Sequence, residues 1–147
     1  MLARRIAIGG VVVGCVDFLD AVIFFGLRNG VTPQRIGQSI AAGVQGRGAF
    51  SGGWTSAALG VALHFLIAFG IVLAYAWLAH AMPVLRRHVV ACGAVYGVGV
   101  YAFMNYLVIP LSATSRGPFV WTVFANGILI HVFGVGIPAA WFASKQG

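Results

Sequence analysis

Acidic side chains are almost missing from this sequence: 147 residues include no glutamate and only two aspartates, against nine Lys and Arg. Charged residues of both signs make up 7% of the chain and hydrophobic residues 61%, where a soluble domain carries roughly 25% charge. This shortage excludes a water-soluble fold. The absence of glutamate removes one common general base. No Ser/His/Asp order, P-loop, dinucleotide fingerprint or zinc-protease motif stands in for it, so the chain is not read as an enzyme. Cysteine is nearly absent too. Cys15 and Cys92 lack CxxC or Cys/His spacing, which excludes a disulfide framework and leaves buried structural thiols as the expectation. Long basic runs are missing as well. The formal charge of +7 comes from arginines scattered beside apolar segments, without interleaved aromatics, so anionic lipid headgroups rather than nucleic acid are the expected partners.

What remains is apolar length. About 20 apolar residues span a bilayer, and uninterrupted runs place four spans at 6–27, 54–79, 89–111 and 119–143 within a single transmembrane domain covering 1–147. The first run continues past Cys15 to Leu27, as a span does and a signal peptide's short core does not. Trp54 and Trp121 open the second and fourth spans, while Trp77 and Trp141 lie near their ends, as expected of indoles at the two headgroup layers. An even number of spans puts both termini on one side. The Arg pairs 4/5 and 86/87 lie tight against span ends on that side, which favours cytoplasmic termini.

The long first connection, about 32–48, contains "TPQRIGQSIAAGVQGRG". Thr32 is placed to cap a helix with Pro33 in its first position. Ile36, Ile40 and Val44 then form one stripe, so an amphipathic interfacial helix between spans one and two is expected, lying in the interface or folded over the mouth of the bundle. Gly37, Gly43, Gly46 and Gly48 weaken it. The fold class expected is therefore all-α: a four-transmembrane-helix bundle with that interfacial helix.

A repeat is visible at an offset of 67 residues, where "WTSAALGVALH" from Trp54 matches "WTVFANGILIH" from Trp121 at Trp, Thr, Ala, Gly and His. The preceding spans each follow an Arg-Arg pair and each carry GxxxG, at Gly10/Gly14 and Gly93/Gly97. This pattern suggests a duplicated hairpin with parallel repeats about an axis along the membrane normal, placing His64 and His131 at matched positions.

The polar residues follow the small ones. Helical periodicity groups Gly10, Gly14, Asp17 and Ala21 on one face; Gly60, His64 and Ala68 on another; then Gly93, Gly97, Tyr101 and Asn105; and finally Gly127, His131, Gly134 and Pro138. Small-residue faces pack inward in membranes. At ~1.5 Å per residue, Asp17 and His131 fall near the midplane, and Asp20, His64, Asn105 and Asn126 within ~8 Å of it toward loops one and three. A buried cluster of Asp17, Asp20, His64, Asn105, Asn126 and His131 is the expected pathway or binding site. An intramembrane carboxylate costs about 2.5–3.5 kcal/mol on insertion scales, so at least one is expected to be neutral at pH 7 unless an imidazolium reaches it. Pro138 frees the carbonyl of Gly134 and is expected to kink span four beside His131.

The stretches "DFLDAVIFFGLRNG", "QSIAAG", "ALHFLIAFG", "YAFMNYLVIPLSA" and "NGILIHVFGVGIP" together resemble a family of uncharacterised small bacterial membrane proteins, and more distantly the YagU type of inner-membrane protein, which is linked to acid resistance. The resemblance implies a multi-pass protein of the bacterial inner (plasma) membrane and assigns no active site. The shorter length and the missing acidic soluble segment set this chain apart from an acid-resistance role. Three functions follow as expectations. The first is transport or proton-linked permeation through the polar cluster. The second is a noncatalytic scaffold or accessory subunit, homo-oligomeric or not, in which the cluster only holds helices. The third is haem or metal binding through His64 and His131. No cofactor is assigned.

Overall fold

The computed structural model describes residues 1–114 and 117–144. The described residues are all-α. Four helices are long and apolar enough to cross a membrane: Leu2–Asn29, Gly53–Ala81, Val89–Leu111 and Trp121–Ser144, called spans one to four. Spans one and two reach a few residues further at each end than hydropathy alone places them, and span four starts at Trp121 rather than 119. The tryptophans sit at these ends with most or much of their surface open: Trp54, Trp77 and Trp121 at 72% and Trp141 at 47%. Apolar side chains cover the outer faces, among them Leu19, Ile23, Leu66, Val95 and Leu129, as a lipid-facing bundle requires.

The connection after span one folds as expected in one respect and differs in another. Gly30 adopts the left-handed conformation (φ 65°) that ends span one, a position that favours glycine over any residue with a Cβ. Pro33–Gln45 is a helix, with the Thr32 side chain accepting a hydrogen bond from the Arg35 N–H at 3.3 Å, and Gly46–Ser51 continues as 3-10 helix. This loop helix folds over the bundle, and its buried face differs from the Ile36/Ile40/Val44 stripe. Its buried residues are Ile36, Gly37, Gln38, Ala41 and Ala42, packed on span two, whereas Val44 is 66% exposed. The reason is backbone proximity. A Cβ on Gly60 would collide with the Gly37 carbonyl oxygen, and one on Gly37 would stand 2.7 Å from the Ala57 carbonyl oxygen. The glycines that lower helix propensity are the ones that let the two helices touch. Gln38 donates to the Gly53 carbonyl at 3.2 Å, and Ser56 to the Gln45 side chain at 2.9 Å. The Ala113 N–H ties loop three to the Gly43 carbonyl at 2.9 Å.

The bundle is tight at the end holding the termini. Val13, Ala68, Val72, Tyr75, Ala79, Val135 and Ala139 form one buried cluster there. Span four's last turns touch the other three spans. Arg5 Nε donates to the Phe142 carbonyl at 3.1 Å, tying the start of span one to the last described turns of span four. Tyr75 and Ser144 both donate to the Leu85 carbonyl, at 3.0 and 3.4 Å. Cys15, expected to be buried, is exposed, and Cys92 is half-buried. Position 15 follows Gly14 round the helix to the outer side of span one.

The repeat is carried by contacts as well as letters. A Cβ on Gly10 would meet Phe69 and one on Gly14 would meet Phe65; one on Gly93 would meet the Gly136 carbonyl and one on Gly97 would meet Val132. Phe65 and Phe69 become Val132 and Gly136 at the same 67-residue offset that relates Trp54 to Trp121. Phe18 stacks against His64 with centroids 5.5 Å apart, and Tyr101 against His131 at 5.4 Å. The two hairpins thus repeat one packing scheme, as expected of a duplicated unit.

Gly60→Leu is expected to destabilise the protein by about 2–3 kcal/mol or more by overpacking. Gly70→Leu, where a Cβ meets nothing within 4 Å, is expected to leave stability unchanged. Equal unfolding midpoints in detergent for the two variants would show that the loop helix is not seated on span two.

Candidate functional site

The packing loosens toward loops one and three. Span four's first half, Trp121–Ile130, stands away from span one, and the gap is bridged by side chains. Asn126 Nδ2 donates to Asp20 Oδ2 at 2.7 Å, and Arg28 donates to the Thr122 hydroxyl. Behind these bridges lies a cavity of about 330 Å³ whose lining includes Asp17, Asp20, His64, Asn105, Asn126 and His131. The structure thus brings all six sequence-predicted side chains to one space. It also corrects their setting. They were expected as a buried cluster, yet none is fully buried, and Asp17 and His64 side chains keep 26% and 14% of their exposure. The physical reason is that the helices diverge here, so the polar groups line a half-open cleft instead of meeting in a packed centre.

Each polar group is held from a different element. His64 Nε2 lies 2.9 Å from the Gly14 carbonyl oxygen of span one, an approach allowed because Gly14 brings the two backbones together. Its Nδ1 is 4.0 Å from Asp17 Oδ2, the one ion pair among the described residues. His131 Nδ1 lies 2.9 Å from the Gly127 carbonyl, and Asn105 Nδ2 donates to the Tyr101 carbonyl at 3.0 Å. These last two bonds reach back one turn within their own helices, and they share a cause. His131–Gly136 and Met104–Val108 are π-helical, and each stretch ends two residues before a proline, Pro138 or Pro110. Proline cannot donate to the preceding turn. The widened turn accommodates that loss, and at its entrance His131 and Asn105 add side-chain hydrogen bonds to carbonyls that also accept backbone N–H groups. The kink expected from Pro138 is therefore a π-helical stretch, and Pro110 builds a second one that the proline pattern could have revealed.

Several lining residues lie outside the predicted six, although Tyr101 shares the inward face of span three with Asn105. Tyr101, Phe18 and Phe24 supply aromatic walls, and Ile36, Ser39 and Ile40 of the loop helix form the roof. Phe24 was within reach of sequence, since it follows Asp17 by seven residues and Asp20 by four on the same face. The roof was not, because Ser39 and Ile40 belong to the site only through the Gly37–Gly60 contact. Among the described residues, no three His, Cys, Asp or Glu are grouped to hold a metal ion. The two imidazoles are not set up as a pair of axial haem ligands. His64 has Nε2 on a carbonyl and Nδ1 toward Asp17, so only His131 offers a ring nitrogen with no such partner.

No family model, curated protein or solved structure matches the chain. By its four candidate spans the protein belongs to the class of small integral, multi-pass membrane proteins.

The Asp20–Asn126 bond is expected to couple spans one and four by about 0.6–1.7 kcal/mol, the range for buried polar contacts in a membrane bundle. A double-mutant cycle of Asp20→Ala and Asn126→Ala, read from unfolding in bicelles, measures it. Strict additivity of the two single variants would show that the contact carries no energy.

Proposed function

We propose that this protein is a noncatalytic membrane carrier, whose cleft binds a small solute between the spans and passes it in exchange with protons. The carrying observation is the contrast between the two halves of the bundle: a packed apolar core at one end and a cavity lined by both carboxyls, two imidazoles and two amides at the other. Ionisable residues within spans are costly and mark solute or proton pathways. Carboxyl and imidazole groups exchange protons near neutral pH when their surroundings allow it. The loop helix, flanked by left-handed Gly30 and by Gly46 at φ 60°, roofs the cleft as a movable cover would. The family resemblance in the sequence fits a bacterial inner-membrane protein, and the paired arginines favour cytoplasmic termini, which turns the cleft outward.

A scaffold role has its own support. The His64–Gly14 and Asn126–Asp20 contacts tie spans one, two and four together, and such bonds are what a glue role needs.

The two readings part in proteoliposomes loaded with a pH-sensitive dye and given a pH gradient. The probes are octyltrimethylammonium, octanesulfonate, tetramethylammonium and glucose, each added in turn. The carrier reading expects at least one probe to collapse the gradient. It also expects Asp17→Asn with Asp20→Asn to slow that collapse by about tenfold or more at an unchanged unfolding midpoint. No collapse with any probe, together with a bundle that falls apart in the double variant, would leave the scaffold. A Soret band or stoichiometric metal in the purified protein would instead revive the haem or metal reading.

A further inference from the structure

Four cavities adjoin one another along the bundle. A rim cavity of about 460 Å³ carries Arg28 and Thr122 and shares Asp20, Phe24 and Asn126 with the 330 Å³ cleft. The cleft shares Asp17, His64 and His131 with a deeper space of about 120 Å³. That space shares Ile67, Ile71 and Met104 with a groove of about 430 Å³ between spans two and three. The character changes along this track. At the cleft end stand the chain's only two carboxyls. In the groove the one side-chain polar group is the Tyr96 hydroxyl, which donates to the Ile71 carbonyl at 2.7 Å, so everything the groove offers is apolar.

The groove exists because the seam between spans two and three is barely packed. The repeat makes this seam the counterpart of the one between spans four and one. There, a Cβ on Gly134 would stand 2.8 Å from Val16. The corresponding residues in the open seam are Ile67 and Gly99, which both line the groove. Cβ atoms built on Gly70 or Gly99 meet nothing within 4 Å. Two copies of one hairpin therefore close the seam between spans four and one at Gly134 and Val16 and leave the corresponding place between spans two and three open.

From this track, and resting on the carrier reading above, we infer that the solute is an amphipathic organic cation: an amine or quaternary ammonium head with a single alkyl or aryl tail. The head occupies the cleft, between the carboxyls and the faces of Phe18 and Phe24, where ring quadrupoles also attract a cation. Asp20 receives a hydrogen bond from neutral Asn126, and among the described residues no basic side chain lies within 4.0 Å of it, so no cation of the protein takes the place of the head. The tail follows Ile67, Ile71 and Met104 into the groove, exchanging lipid for protein contact. An anion would face the same two carboxyls and be repelled. A hydrophilic cation would leave the groove unused. Protons compete for the same carboxyls, with His64 and His131 facing Asp17 across the cleft, which links head binding to proton release.

Equilibrium binding to protein-loaded nanodiscs, after subtraction of empty discs, tests this with octyltrimethylammonium, octanesulfonate and tetramethylammonium. The cation with a tail is expected to bind at least about tenfold more tightly than either of the others. Asp17→Asn with Asp20→Asn is expected to erase that preference. Gly99→Leu, placed where a side chain meets open space, is expected to weaken octyltrimethylammonium and leave tetramethylammonium unchanged while the protein stays folded. If octanesulfonate binds as well as the cation, or neither substitution alters cation binding, the cation assignment is overturned. The carrier reading still stands in that case if octanesulfonate or glucose collapses the pH gradient. If no probe binds and none collapses it, both fall together.

Discussion

Close approach of helix backbones at glycine is the interaction on which the rest of this molecule depends. Lipid tails are as apolar as leucine, so helices in a bilayer gain little by burying large apolar side chains against each other. What holds them is van der Waals contact and hydrogen bonding at short range. Gly10 and Gly14 receive Phe69 and Phe65, and Gly93 and Gly97 receive span four's backbone. Those four contacts pull each hairpin together at the terminal end. The same device, Gly37 against Gly60, brings the loop helix down on span two and so supplies the roof of the cleft.

The cleft follows from that closure. Helices pinned at one end and carrying bulkier polar and aromatic residues at the other must diverge, and the space between them is bridged by Asn126–Asp20 and Arg28–Thr122. The π-helical stretches before Pro110 and Pro138 occur at this level. At the entrance of each, a polar side chain that faces the cavity also bonds a carbonyl of its own helix, His131 at Gly127 and Asn105 at Tyr101. Positioning and stability are served by the same bonds. His64 joins the two halves most directly, since its Gly14 partner belongs to the tight packing while its other nitrogen faces Asp17.

The repeat explains both the likeness of the two hairpins and the importance of their differences. Glycine contacts and the ring stacked on histidine recur in both. The carboxyls do not: Asp17 and Asp20 correspond to Val100 and Phe103 in the second copy. The long connection with its helix also belongs to the first hairpin alone. Divergence between two equal frames has therefore put the charge on one side of the cleft and the open apolar seam at the other.

Apolar length and residue spacing alone determined that the chain has four spans, where the tryptophans stop them, that a helix begins at Pro33, and that the six polar residues share the inward, small-residue faces. These are local or periodic properties, governed by bilayer thickness and by 3.6 residues per turn, and a single strand of sequence carries them completely. Only the tertiary structure decided whether those faces meet. Helical phase states the direction in which Asp17 points, but not the distance to the opposite helix. That distance was settled by contacts between residues far apart in the chain: Gly14 with Phe65, Gly97 with Val132, Gly37 with Gly60. The sum of those contacts left the polar groups around a cavity instead of in a packed core, seated the loop helix on span two, and opened one of two equivalent seams.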